Sequence, residues 1–470
     1  MTPDRRTRAS RLAKDVTAED AVALVCQVPT HQADLTTQER YFLDFFRRST
    51  SFQCAGYFYD EFWQRLVHQA SEDQPAIRHA VIGMGSMNYH FVRLRAGLLR
   101  AGPGPSLYDQ TFSLRQINKA IHSLQRNLIE ERMGRLRVET VLVACVVLVS
   151  TLLFQEDAIS AGIHLRSGYK LLEQYLTENH KSDVAATLTR AFASVHMVWS
   201  SFNSNGALTG DQPPIPLLIP PQAKATDEIQ RANDLIVTLV RLLSYQNNTY
   251  RTRMGSPGAE LDATDFVGGL LELQGQLQVY RDIHEHNLME RDLTALTILE
   301  LWAELLLILV TVEIGPGPRE MQFDKFLKHF QRVFQLAESA LMSDNIDTPA
   351  FSVNLGVIPP LCLVALKCRD PIVRQETLSL LRRSRRQEGI WSTEMIAFAL
   401  QRVYDIESAG LWPGDLIPNT SRIRAVHVEM KPTEPQLFMQ YHMARACQGN
   451  DCRHRDSWES EWLAYKFSHS

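Results

Sequence analysis

Residues 293 to 312 read LTALTILELWAELLLILVTV. A helix this nearly apolar all round is stable only where other elements enclose it on every side. Its two carboxylates, Glu300 and Glu304, argue against lipid as the enclosing medium, because a charge at bilayer depth is costly. The run therefore demands a large helical body around it. A second segment, TVLVACVVLVSTLLF at 140 to 154, carries no charge. It falls short of the roughly 20 residues that a helix needs to cross a bilayer and exceeds the roughly 4–8 residues of a usual strand, so it reads as another buried helix. No membrane partner is expected.

Amphipathic helices are written on either side. Leu114, Ile117, Ile121, Leu124 and Leu128 step by three and four, as do Phe323, Leu327, Phe330, Phe334, Ala337 and Leu341, and each set predicts one buried face. No run of short alternating strands joined by Asn-Gly or Asp-Gly turns is evident, which disfavours an all-β fold. The expected class is all-α, a multi-helical body that is two-lobed or solenoid-like. Its clearest internal break is FNSNGALTGDQPPIPLLIPPQ, residues 202 to 222, where five prolines forbid a continuous helix and predict a connector. Weaker breaks fall at 101–106, 253–260 and 315–320. The expected organisation is a flexible basic tail over 1–38, a helical domain over 39–430 and a C-terminal tail over 431–470.

Composition narrows the function. Across 470 residues the net charge is −4 and the pI about 6.4, so there is no general basic field to hold a phosphate backbone. Seven scattered cysteines, at 26, 54, 145, 362, 368, 447 and 452, do not resemble a secreted disulfide framework. The basic N-terminus is followed by Asp15, Glu19 and Asp20 rather than by an apolar signal core.

Catalytic and cofactor signatures are missing. No G-x-S-x-G elbow, GxGxxG or Walker pattern occurs; the nearest fragment, GMGSMN at 83 to 88, has the wrong spacing, and Ser86 reads as packing. His284 and His286 are alternate residues, which point apart by about 200° on a helix and cannot share an ion. His442, Cys447, Cys452 and His454 have ligand chemistry but no recognised spacing. No catalytic, cofactor or metal residue is nominated and no cofactor is expected.

The stretch CRDPIVRQETLSLLRRSRRQEGIW, 368 to 391, is read as a helix from about 371 to 387. Asp370 is its N-cap, Pro371 stands at the first helical position and Gly389 stops it. Val373, Thr377, Leu380, Leu381 and Ser384 share one face, Leu381 and Trp391 anchor the segment in the core, and the arginines face solvent. Two basic clusters remain as candidate nuclear-import residues: Arg5, Arg6, Arg8, Arg11 and Lys14 near the N-terminus, and Arg382, Arg383, Arg385 and Arg386 here.

Three blocks carry a family likeness. The first is ERYFLDFF followed by AGYFYDEFWQRLVHQASEDQPAIRHAVIGMGS, with Glu39, Phe42, Phe45, Gly56, Phe62, Trp63 and the run Pro75 to Val81. The second is TFSLRQINKAIHSL, 111 to 124. The third runs from 351 to 391, with Ile358, Pro359, Pro360, Leu361, Lys367, Cys368, Arg369, Asp370, Pro371, Arg374, Leu380, Leu381, Glu388, Gly389 and Trp391. In these the chain resembles the fungal-specific transcription factor domain over residues 39 to 430. That domain is the helical regulatory region behind the binuclear zinc cluster of many fungal regulators.

The resemblance implies a nuclear regulator or co-regulator, with secondary-metabolite gene clusters among the usual targets. Its helical region would contact other transcription regulators or a second copy, or answer to a small-molecule effector. DNA would be reached indirectly, because only Cys26 precedes residue 39 where that family carries six cysteines. A regulator without its own base-reading module, a gene model truncated at its first exon, and a helical small-molecule-binding protein or enzyme all fit this departure.

Overall fold

The computed structural model describes residues 34–96, 110–130, 138–179, 182–202, 228–252, 263–314, 319–343, 346, 348–412, 415–430, 436–443 and 457–464. The basic residues Arg5, Arg6, Arg8, Arg11 and Lys14, the connector from 203 onward, and Cys447, Cys452 and His454 lie outside these. The chain divides into two compact units, Met1–Tyr41 and Phe42–Ser470. Helix α1 (Thr37–Phe45) opens on a capping box. The Glu39 amide donates to Thr36 Oγ1 at 3.2 Å, and the Thr36 amide donates to the Glu39 carboxylate at 2.9 Å.

The second unit is predominantly helical. After α2 (Ser51–Ala55) and α3 (Val67–Asp73), with π-helical turns at Phe46–Thr50 and Phe62–Leu66, the long helices follow: α4 (Pro75–Arg95), α5 (Gln110–Glu130), α6 (Val138–Phe154), α7 (Ala158–Asn179) and α8 (Asp183–Phe202). Then come α9 (Glu228–Thr252), α10 (Ala263–His284), α11 (Glu290–Ile314), the single turn α12 (Arg319–Gln322) and α13 (Leu327–Ser343). The run at 293–312 lies inside α11, which packs against α9, α10 and α13. By length and composition α11 could cross a bilayer, yet most of it is buried in the body. Its two glutamates meet neighbouring helices: Arg281 Nε donates to Glu300 at 2.6 Å, and Gln274 Nε2 to Glu304 at 2.7 Å. Helix α6 is likewise core, and α8 and α9 pack on one another.

The inner face of α5 differs from its expected one. Leu114 and Ile121 are exposed, while Ser113, Gln116 and Ala120 are buried. Polar bonds and close packing override the leucine pattern: His79 Nδ1 meets Gln116 Oε1 at 2.8 Å, Ser113 Oγ donates to Ser86 Oγ at 3.0 Å, and Ile117 lies over Gly83 of α4. Ser86 is thus a buried packing residue.

Beyond α13 the chain is tied by a small sheet of β1 (Ala350–Ser352), β2 (Arg386–Glu388) and β3 (Trp391–Ser392), β1 parallel to β2 and β2 antiparallel to β3. Helices α14 (Ile358–Lys367) and α15 (Pro371–Arg383) make the crossover, and α16 (Thr393–Glu407) follows. The predicted helix over 371–387 therefore ends at Arg383, because Ser384 is extended and leads residues 386–388 into pairing with β1. Gly389 does not stop a helix; it takes φ +57° in the β2–β3 turn, where its amide donates to Ser352 O at 2.8 Å. Val373, Thr377, Leu380, Leu381 and Ser384 are all buried as expected, and Trp391 is half-buried with its indole N–H on Ser201 Oγ.

The segment expected as a C-terminal tail carries two strands. β4 (Ile423–Met430), β5 (Gln436–Met443) and β6 (Ser457–Ala464) form an antiparallel sheet, with Val428, Met439 and Glu461 in register on one face. Arg402 of α16 makes a two-pronged pair with Glu461, at 2.9 and 3.0 Å, which fastens the sheet to the helices.

A packing prediction follows from two glycines. A methyl group at Gly356 would overlap the Glu388 carboxylate, whereas one at Gly268 on α10 meets nothing within 4 Å. Gly356→Ala should cost about 1–3 kcal/mol by overpacking, and Gly268→Ala should add about 0.5–1 kcal/mol of helix stability. Denaturant unfolding of the two variants measures both signs.

Candidate functional site

The third motif block builds two buried charge clusters. In the first, Asp370 caps α15 by accepting from the Val373 amide at 2.9 Å, and one turn later Arg374 points inward, 1% exposed. Its guanidinium donates to Ala365 O at 2.8 Å and to Glu407 at 2.7 Å, and lies over the Tyr404 ring. Glu407 of α16 also accepts from Arg369 at 3.0 Å and from the Ile423 amide at 2.7 Å. Arg369 and Lys367 share Glu320 of α12, at 3.1 and 2.6 Å, and Arg422 forks onto Asp324 at 2.7 and 2.8 Å. Burial pushes Lys367 down to about 8 against the opposing pull of Glu320, and it lowers Arg374 against that of Glu407.

The second cluster centres on Glu388. Its carboxylate accepts from the Val357 and Ile358 amides at 3.0 and 2.8 Å, capping α14, and from Arg386 Nε at 3.0 Å. Burial raises the Glu388 pKa, and Arg386 and the two amides oppose it. Arg386 lies 4.6 Å over the Tyr57 ring, and Gly56, at φ +65°, sits beside Ser352. The first and third blocks thus meet: the Val353 amide donates to Cys54 O at 3.1 Å, and Asn354 Nδ2 reaches Ala55 O at 3.5 Å.

This geometry corrects the reading of the arginines. Arg382, Arg383 and Arg385 are exposed, Arg382 donating to Gln401 and Arg385 to Arg95 O. Arg386 is buried and ion-paired, so it is no part of a solvated basic cluster, and Arg374 is internal as well. Of the histidines, His284 stacks on Tyr280 at the end of α10 and His442 lies in β5. Among the described residues no group of three His, Cys, Asp or Glu side chains could hold a metal ion. Nothing in the residue spacing distinguished buried arginines from exposed ones; Glu407, the partner of Arg374, lies 33 residues away, and Glu388, the partner of Arg386, is two residues on along a strand.

Among the described residues two concave features stand out. A groove of about 890 Å³ runs between α9 and α10 above Leu296 of α11, with Leu235, Val279 and Ile283 on its walls. A smaller cleft of about 380 Å³ is lined by Tyr57, Glu290, Arg291, Thr294, Ser343 and Arg386, and so presents both signs of charge.

The motif residues form internal ties of a helical body; the cleft borders them at Tyr57 and Arg386, and the groove lies away from them. A family model described as the fungal specific transcription factor domain matches residues 40–403, and the chain belongs to that family. Over 67 residues it is 37% identical to the aspercryptin biosynthesis cluster-specific transcription regulator atnN of Emericella nidulans; this stretch is 14% of the chain and 11% of that relative. The chain thus matches about a tenth of the length of that curated relative. No solved structure matches.

The first cluster and the buried carboxyl of Asp60 can each be tested. Glu407→Gln should cost about 3–5 kcal/mol, since it weakens the hold on two buried guanidinium groups, whereas glutamine at Arg382, Arg383 and Arg385 should change stability by no more than about 0.5 kcal/mol each. Chemical denaturation compares them. Asp60, whose Oδ1 accepts from the Phe62 and Trp63 amides at 2.9 and 3.2 Å, is pushed by burial from 3.8 up to about 6. The native carboxyl therefore holds its proton more tightly than the unfolded one. Its contribution is fully present below about pH 3.8 and is lost as the pH rises through about 6. Asp60→Asn keeps the acceptor without the charge, so its stability relative to the parent should rise by about 1–2 kcal/mol between pH 4 and 7. Melts across that window read the slope.

Proposed function

We propose that this chain is the regulatory region of a nuclear regulator that controls a fungal secondary-metabolite gene cluster, and that it works through protein contacts rather than catalysis. The family match over residues 40–403 carries the reading, and the cluster-specific regulator that shares a short stretch supports its finer part. The motif residues serve as framework, and no nucleophile with an attendant base was found among them. Residues 1–470 hold no six clustered cysteines, and the net charge is negative, so this region is read as the regulatory part and not as the base reader. The cleft beside Arg386, with carboxylate and guanidinium groups facing one space, is where we place a small zwitterionic effector.

Deletion of the gene, followed by transcript profiling, is the test. The expected outcome is a coordinated change of at least tenfold across one contiguous set of biosynthetic genes, restored by the intact gene. Unchanged transcripts beside an altered metabolite profile would point to an enzyme and sink the proposal. Purified protein of residues 1–470 should show no more than about tenfold preference for a promoter fragment over scrambled DNA at physiological salt, read by fluorescence anisotropy.

A further inference from the structure

Helix α10 is apolar on two faces. Leu270, Leu273 and Leu277 are buried where it packs on α11. Leu271, Val279 and Ile283 form a second ridge, at the four-residue steps that align side chains along a helix, and stand 53%, 57% and 64% exposed. Gly275, between Leu271 and Val279, leaves open space at its Cα. Val279 and Ile283 wall the groove against Leu235 of α9, itself 44% exposed.

The charged groups around this ridge that stand outside ion pairs are mainly acidic. Glu272 lines the groove, and Asp282 near the end of α10 and Glu285 in the turn beyond it are exposed on the adjoining surface, while Arg281 is held by Glu300 of α11 at 2.6 Å. Across the groove, Glu228 and Arg231 pair with each other at 3.5 Å and add no net charge. The wall from Glu272 to His284 is about 18 Å long at 1.5 Å per residue, room for three to four turns of a helix.

We propose that this groove seats a basic amphipathic helix of another protein, its apolar stripe on Val279, Ile283 and Leu235 and its lysine or arginine flank toward Glu272, with Asp282 and Glu285 adding negative charge on the adjoining surface. The occupant follows from charge complementarity: apolar walls with an excess of acidic groups at and beside them favour a cationic helix over an anionic one. The inference deepens the protein-contact reading above. The two fail separately, because this one is read in vitro and that one in transcripts.

The probe is a fluorescein-labelled leucine–lysine amphipathic peptide of about 14 residues, compared with its leucine–glutamate counterpart by anisotropy on the purified chain. The lysine peptide should bind saturably and the glutamate peptide at least tenfold more weakly. Val279→Asp and Ile283→Asp should each weaken lysine-peptide binding about tenfold, with melts unchanged because both positions are exposed. The combined Glu272→Gln, Asp282→Asn and Glu285→Gln variant should weaken binding at low salt and flatten its salt dependence, and it reports independently if an aspartate disturbs the helix. Absent binding to the parent chain overturns the proposal, as does equal binding of the two peptides or binding unaffected by both aspartates. A dimer in sedimentation that Ile283→Asp dissolves would assign the groove to a second copy and overturn it too.

Discussion

Glu407 is the point at which the C-terminal third of the body is joined. It lies on α16, yet its two oxygens take a guanidinium from α15, a guanidinium from the α14–α15 turn and the first amide of β4. Stripping water from ions so deeply costs several kcal/mol apiece, and one pair rarely recovers that. Here each carboxylate serves more than one donor, which is how a buried network becomes affordable. Arg369 bridges Glu407 to Glu320, Lys367 continues from Glu320 to the Arg424 carbonyl, and Arg422 reaches Asp324. Apolar packing could hold these elements at comparable stability. Ionic partners are more selective, since a slipped helix would strand a charge.

Glu388 does the same for the approach between the early and late parts of the unit. Its capping of α14 requires the carboxylate to lie against Gly356, whose carbonyl in turn accepts the Trp302 indole N–H at 2.8 Å. A helix start, a strand and the central helix are therefore fixed by one side chain and one missing side chain. The parallel pairing of β1 with β2 follows: once α14 and α15 are anchored, the chain returns to residue 386 beside residue 350.

Sequence pattern conveyed most where burial acts alone. The apolar runs at 140–154 and 293–312 are core helices, and the inward face of α15 is the one its spacing gives. Pattern misled where a polar residue is internal. Arg374 and Arg386 look like solvated cations until their acids are placed, and those acids are remote in sequence or, for Glu388, on a strand that spacing had assigned to a helix. On α5, leucine periodicity gave way to Ser113, Gln116 and Ala120, because close approach to Gly83 of α4 demands small or hydrogen-bonded groups. The strands of 423–464 escaped notice because β6 sets glutamates between its two tryptophans and no Asn-Gly or Asp-Gly dipeptide joins the three. The candidate groove was not legible at all: exposed Val279 and Ile283 look like core residues until α11 is seen to take only one face of α10.

Framework and surface are thus separated along the chain. The blocks that resemble the family end at residue 124 and resume at 351, and Lys367, Arg369, Arg374, Arg386 and Glu388 of the last one are spent in the two buried clusters. The groove is walled and floored by residues between 228 and 296, the interval that those blocks leave empty. A substitution at Arg374 or Glu388 acts through folding, because it unbalances a buried network whose members reach several elements at once. One at Leu235, Val279 or Ile283 meets solvent, so it comes at little cost to the fold. That division follows from where the ions are buried and where the apolar side chains are left uncovered.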